Sequence, residues 1–175
     1  GGSLVYATVL LEPPPAFYTD PIWRDLQSDW REELAPHYAT AKKMLGVTRN
    51  PYFGQMDAHL QETAVAMGAE SSFDTTPLGI YFGEPQKTVA DPFFDGHGPV
   101  RTGCRKCGQC LTGCPHNAKN SLDKNYLYLA EQMGVTVLPE RKATVIQPIE
   151  GGYAVEMVNP LRRWSRYAPL RAKKV

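Results

Sequence analysis

The chain has 175 residues, the length of one ordinary domain and short for two. Its composition, 42% hydrophobic and 21% charged, is that of a globular protein and argues against wholesale disorder. A net charge of +1, from 19 Lys and Arg against 18 Asp and Glu, supplies no field to draw in nucleic acid or an anionic membrane.

Ser3–Leu11 opens the chain as an apolar run without an amphipathic period, a segment expected to be covered on every side as a core strand or buried loop. Glu12-Pro13-Pro14-Pro15 ends it, because proline continues neither a helix nor a central strand. Asp29-Trp30-Arg31-Glu32 reads as a capping box. It starts a helix whose apolar stripe is Trp30, Leu34, Tyr38, Ala41 and Leu45 and whose stop is Gly46. Pro36 within it predicts a kink or boundary near Ala35. A second helix is expected over Asp57–Met67, capped by Asp57 and closed by Gly68. Thr75–Phe82, interrupted by Pro77 and Gly79, reads as an edge or irregular strand.

Residues 84–113 carry turn signals throughout and predict a long functional loop. Ser121–Met133 predicts the strongest helix, with Ser121 as cap, Leu122, Tyr126 and Leu129 on one side, and Gly134 as terminator. Short strands follow at Val135–Leu138, Ala143–Ile149, Tyr153–Val158 and Tyr167–Val175, with Gly151-Gly152 turning the middle pair. With 15 Gly and 15 Pro, the expected fold is α+β, loop-rich, with short helices and a small antiparallel β-meander. No apolar run approaches the ~20 residues of a membrane span, and no signal pattern opens the sequence. A soluble, cytoplasmic chain with no transmembrane segment and no nucleic-acid partner is expected. The abrupt ends, Gly1 and Val175, read as those of an internal piece.

All four cysteines fall in one run, Cys104-x2-Cys107-x2-Cys110-x3-Cys114, followed by Pro115. This spacing is that of bacterial ferredoxins, whose thiolates converge on an iron–sulfur cluster from a tight loop; Gly103, Gly108 and Gly113 supply the turns. In two-cluster ferredoxins the fourth cysteine ligates the other cluster, and this chain has no second run. Three readings stay open: an iron–sulfur cluster, a four-thiolate zinc site, or no metal at all. His97 and His116 are candidates to complete a ligand set.

Gly1-Gly2-Ser3-Leu4-Val5-Tyr6-Ala7, the Gly103–Asn120 segment with its Gly-Cys-Pro-His-Asn-Ala-Lys-Asn, and Asp123-Lys124-Asn125-Tyr126-Leu127 together resemble the glucose–methanol–choline flavin oxidoreductases, closest to their cholesterol-oxidase-like subgroup. The resemblance implies an internal piece of an α/β FAD-binding fold with an attached substrate domain. It implies an FAD-dependent oxidase or dehydrogenase acting on the CH–OH group of an apolar, sterol-like alcohol, with hydride passing from the carbinol carbon to the flavin. Gly1, Gly2 and Ser3 match the loop that lies against flavin and pyrophosphate in the family. Leu4 and Val5 would follow the ring, and the region of Ala143 matches a strand whose backbone contacts the adenine.

On the same resemblance the chain divides into an FAD-contacting loop at 1–12, part of a substrate or cap region at 13–100, the cysteine-rich loop at 101–120, and a helix and meander of the FAD-binding domain at 121–175. Tyr6 and Ala7 depart from the Asn-Gly of secreted members. The dinucleotide fingerprint and the family's catalytic histidine have no counterpart here, so His37, His59, His97 and His116 take no catalytic role and the piece alone is expected to be inactive. Lys119, Asn120, Lys124 and Asn125 are either helix-start residues facing water or residues that shape the flavin site. A cluster in the cysteine loop is compatible with the flavin chemistry as a further electron carrier.

Overall fold

The computed structural model describes residues 2–162 and 164–175; Gly1 lies outside the described residues. The chain divides into two compact units, Gly1–Met133 and Gly134–Val175. Among the described residues no helix is long and apolar enough to cross a membrane.

In the first unit, a single turn α1 (Gly2–Val5) leads to an irregular segment over 6–11. The expectation that this opening run is covered on every side does not hold. Leu4, Val5, Val9 and Leu11 are exposed, and Thr8 is the buried member. The reason is the backbone: Thr8 O accepts from Gly79 N at 2.8 Å and Leu10 N donates to Pro77 O at 3.0 Å. The run therefore lies along one irregular strand rather than inside a sheet. A short turn α2 (Pro15–Tyr18) follows the prolines, with Pro15 at a first-turn position that needs no N–H.

Helix α3 spans Trp30–Met44, and the Asp29 carboxylate accepts from the amides of Arg31 and Glu32 at 2.9 Å each. Its five stripe residues, Trp30 to Leu45, are half-buried while most of the others face solvent. Of the kink or boundary expected near Ala35, the boundary is absent, since the helix runs through Pro36. The carbonyl that loses its bond belongs to Glu32, which is exposed, so water can satisfy it. Gly46 then ends the helix at φ 56°, as the sequence indicates. A Cβ there would meet Phe93 Cε1 at 2.7 Å.

Strand β1 (Thr48–Arg49) pairs antiparallel with β2 (Pro77–Leu78), which realises the irregular strand expected over Thr75–Phe82. Between them helix α4 runs Gln55–Ala66 with Gly54 as its N-cap. Asp57 is thus one turn further in than expected, and its carboxylate reaches back to the Gly54 amide at 2.8 Å. Beyond β2, Ile80 bridges to Lys119.

The long loop is held by its own devices. Strand β3 (Thr88–Val89) pairs with β4 (Arg101–Thr102). Between them the Asp91 carboxylate accepts from the amides of Phe93, Phe94, Gly96 and Gly98 at 2.8–3.0 Å. Burial works to raise the Asp91 carboxyl, and the four amides outweigh it, leaving it below its ordinary value. The Ser121–Met133 helix is interrupted. A 3-10 turn at Leu122–Lys124 ends at Asn125, whose φ of −136° and ψ of −100° break the helix. Helix α5 then covers Tyr126–Gln132. Ser121 does not cap, because its hydroxyl bonds the Asp123 carboxylate at 2.5 Å. Of the three residues expected on one side of that helix, Leu122 and Tyr126 are exposed and Leu129 is half-buried.

The second unit is a meander of β5 (Lys142–Ile149), β6 (Gly152–Val158) and β7 (Leu170–Ala172) in that order. Gly151 turns the first pair at φ 78°, as expected. Val135–Leu138 forms no strand; its backbone has no partner strand, since among the described residues β5 pairs with β6 alone. In all, the architecture is α+β with small antiparallel sheets, as the order of expected helices and strands suggests.

Candidate functional site

Two buried cations organise the first unit. Arg101, 1% exposed, leaves β4 and donates to Asn117 O at 3.1 Å, to Ala118 O and Lys119 O at 2.9 Å each, and to Asn120 Oδ1 at 2.5 Å. Asn120 in turn donates to Leu45 O and Gly46 O at 2.9 and 3.1 Å, joining the end of α3 to the segment after the cysteines. Lys119, 4% exposed, donates to Leu4 O, Tyr6 O and Cys110 O at 2.8, 2.7 and 2.9 Å, and its ammonium stands 4.5 Å from the centre of the Tyr6 ring. Tyr6 donates to Asn120 O at 2.7 Å. Among the described residues neither cation pairs with a carboxylate.

Cys104, Cys107, Cys110 and Cys114 all line one cavity of about 320 Å³, whose other walls include Tyr52, Leu78, Ile80, Phe82 and Lys119. All four are free thiols, with Cys107 exposed and the others half-buried. Three backbone features aim the loop: Lys106 and Gly108 at φ 61° and 72°, and Gly113 at φ 96°. Cys110 lies on a 3-10 turn, Gln109–Thr112, against which α1 packs. Burial raises the Cys110 thiol, and the neighbouring thiols add to that. Burial also acts on Cys114, but the amides of Ala118, His116 and Lys119 and the Arg101 guanidinium outweigh it, so this thiol sits below its ordinary value. Among the described residues no three His, Cys, Asp or Glu side chains are placed to hold a single metal ion. His116 lines the same cavity, while His97 does not.

The flavin-loop residues fall on α1. Gly2 faces open space, with nothing within 4 Å of a Cβ built on it. The Ser3 hydroxyl accepts from Leu122 N at 3.3 Å and keeps a proton to give. Leu4 and Val5 are 49% and 62% exposed. Further along the chain, Asn125 Nδ2 is buried without a hydrogen-bond partner among the described residues, although the side-chain Oδ1 of the same residue accepts from Tyr126 N at 2.6 Å. Ala143 belongs to the second unit. It pairs with Met157 on β5, an outer strand of the meander, where the register slips by one residue before Val145.

Gly2–Val5 and Cys110 are thus brought together through Lys119, a link 115 residues long in sequence. Lys119 and Asn120 are buried and do not face water. Arg101 escaped notice in the sequence because a buried arginine bound to carbonyls leaves no spacing signature.

No protein-family profile matches the chain, and no solved structure does. Cholesterol oxidase from two strains of Mycobacterium tuberculosis, CDC 1551 / Oshkosh and H37Rv, is 51% identical over 144 residues, 79% of this chain and 25% of the relative. Cholesterol oxidase of Acinetobacter baumannii is 45% identical over 155 residues, 86% of this chain and 28% of the relative. The chain thus spans about a quarter of the length of the curated relatives it matches. Over that stretch it belongs to the cholesterol-oxidase-like group of the glucose–methanol–choline oxidoreductases.

Proposed function

We propose that this chain is part of an FAD-dependent oxidoreductase that oxidises the CH–OH group of an apolar, sterol-like alcohol. The observation that carries the reading is the 45–51% identity to cholesterol oxidases over most of the chain. The residues of α1 fit a flavin on their own geometry. Gly2 offers a face with no side chain and no neighbour within 4 Å of a Cβ, and Leu4 and Val5 offer exposed apolar surface beside it. The Ser3 hydroxyl supplies a donor on the same turn. On β5, an outer strand, the backbone around Ala143 has one edge without a partner strand among the described residues, which suits contact with an adenine.

When bound, the flavin supplies the two-electron acceptor for the alcohol. This chain supplies placement. Lys119 fixes the Leu4 and Tyr6 carbonyls and so sets the turn from which Gly2 and Ser3 present themselves. Leu4 and Val5 keep water from the face they cover. No base is assigned to this chain.

The test is anaerobic titration of the full protein with cholesterol, followed by flavin absorbance. Bleaching in proportion to the ketone formed is the expected result. A protein that contains FAD and is reduced by dithionite but by no sterol refutes the substrate class, and a protein that takes up no FAD refutes the cofactor. FAD should bind the isolated 175-residue chain only weakly, because it carries no dinucleotide fingerprint.

A further inference from the structure

We propose that the thiolates of Cys104, Cys107, Cys110 and Cys114 bind one four-iron–four-sulfur cluster within the cavity they line. The proposal stands apart from the flavin reading.

The fourth thiol is where the structure goes beyond the spacing. In a two-cluster ferredoxin the cysteine before proline serves the other cluster, but here Cys114 faces the same cavity as the other three. Zinc is the rival occupant, since four thiolates also suit it. A cluster is a body with several metal corners, and its ligands stand around it as the four cysteines stand around this cavity of about 320 Å³.

The charges agree. Four thiolates on a cluster leave net negative charge, and burying a cation without a counter-charge is costly. Lys119 lines the cavity and Arg101 lies behind it, bonded to the backbone of Ala118 and Lys119. Both are buried, and neither has a carboxylate partner among the described residues. An anionic cluster provides the counter-charge that Lys119 lacks, while Arg101 also feels the Asp123 and Asp91 carboxylates. The Lys106 amide already donates to Cys104 Sγ at 3.4 Å, the kind of N–H to sulfur bond that tunes such clusters. Leu78, Ile80 and Phe82 form an apolar wall that limits solvent, a second determinant of potential.

The experiment is iron, acid-labile sulfide and zinc analysis of the full protein purified without oxygen and reconstituted with ferrous iron and sulfide, alongside the Cys107→Ser and Cys110→Ser variants. About four irons and four sulfides per chain are expected, with an electron paramagnetic resonance signal after reduction. Each variant should lose iron and sulfide together by at least about tenfold. Cys107 is exposed, so its variant keeps the fold, and circular dichroism checks this. Stoichiometric zinc without sulfide overturns the proposal, as does negligible iron in the reconstituted wild type or equal iron in wild type and variants. Flavin extracted from the same samples keeps the two readings apart: flavin without iron overturns the cluster alone, and a cluster without flavin upholds it.

Discussion

The ammonium of Lys119 lies 2.8 Å from the carbonyl oxygen of Leu4, so a residue just after the cysteine loop holds the turn that presents Gly2 and Ser3. The same nitrogen holds Tyr6 O and Cys110 O. Burial lowers the Lys119 amine, while the thiols of Cys110 and Cys114 work in the opposite direction. Removing the donor while keeping the stem isolates what these bonds do. Lys119→Met is expected to destabilise the protein by about 2 kcal/mol, the scale of a buried carbonyl group left without its charged donor. Relief of a buried charge partly offsets the loss. Urea unfolding measures it, and amide exchange should quicken at Leu4–Tyr6 in the same variant. An unchanged midpoint with unchanged exchange at that turn removes Lys119 as the strap.

Asn120 is the second joint. Its amide donates to Leu45 O and Gly46 O while its carbonyl accepts from Arg101. Asn120→Ala leaves a buried guanidinium and two carbonyls short of partners, and about 3 kcal/mol of stability should go with them. Asn120→Asp tests the geometry. It would give Arg101 a carboxylate but turn an oxygen toward the Leu45 and Gly46 carbonyls, so it should not restore the wild-type melting temperature. Full restoration would make the charge pair, and not the amide, the important partner.

How much of this was legible depends on where each bond is made. The Asp29 cap, the α3 stripe and the Gly46 stop are local, and each could be read from residues three or four apart. The four cysteines were legible as a run, whereas the Gly-Gly-Ser opening, expected as a loop, is a helical turn at Gly2–Val5. Long-range bonds were not. Thr8 bonds Gly79, and Lys119 reaches Leu4, so the opening run became an exposed ribbon instead of a core strand. Asn125 takes a φ and ψ that no periodicity announces, which split the helix expected over Ser121–Met133. Val135–Leu138 has strand composition, but strand formation needs a partner backbone, and composition does not specify one.

Two glycines separate fold from site. A Cβ on Gly103 would run into the backbone of Glu84, next to the Pro85–Gly103 bridge. Gly103→Ala must therefore move one of the two chains, with an expected loss of about 2 kcal/mol. A Cβ on Gly2 meets nothing within 4 Å, so Gly2→Ala should leave stability within about 0.5 kcal/mol of wild type. If α1 lies against a flavin, Gly2→Ala nevertheless lowers the FAD content of the full protein, because the added methyl occupies the approach. Unaltered FAD content in a stable Gly2→Ala protein places the flavin elsewhere.

Asp91 gives the long loop a pH dependence of known sign. Burial pushes its carboxyl up, and the amides of Phe93, Gly98, Phe94 and Gly96 outweigh that, so its folded value lies below the ordinary one. A carboxyl lowered on folding adds stability that is fully present above its unfolded value of ~3.9 and is lost as pH falls through the folded value. Asp91→Asn offers one acceptor oxygen to four amides and turns an NH2 toward some of them. At neutral pH it is expected to destabilise the protein by about 2 kcal/mol. Because the wild-type carboxylate itself becomes protonated, the gap between the two proteins should narrow steadily below about pH 4. Urea midpoints of both proteins between neutral and acidic pH measure the gap. A gap that stays constant down the series would assign the loss to shape rather than to the charge that four backbone amides hold.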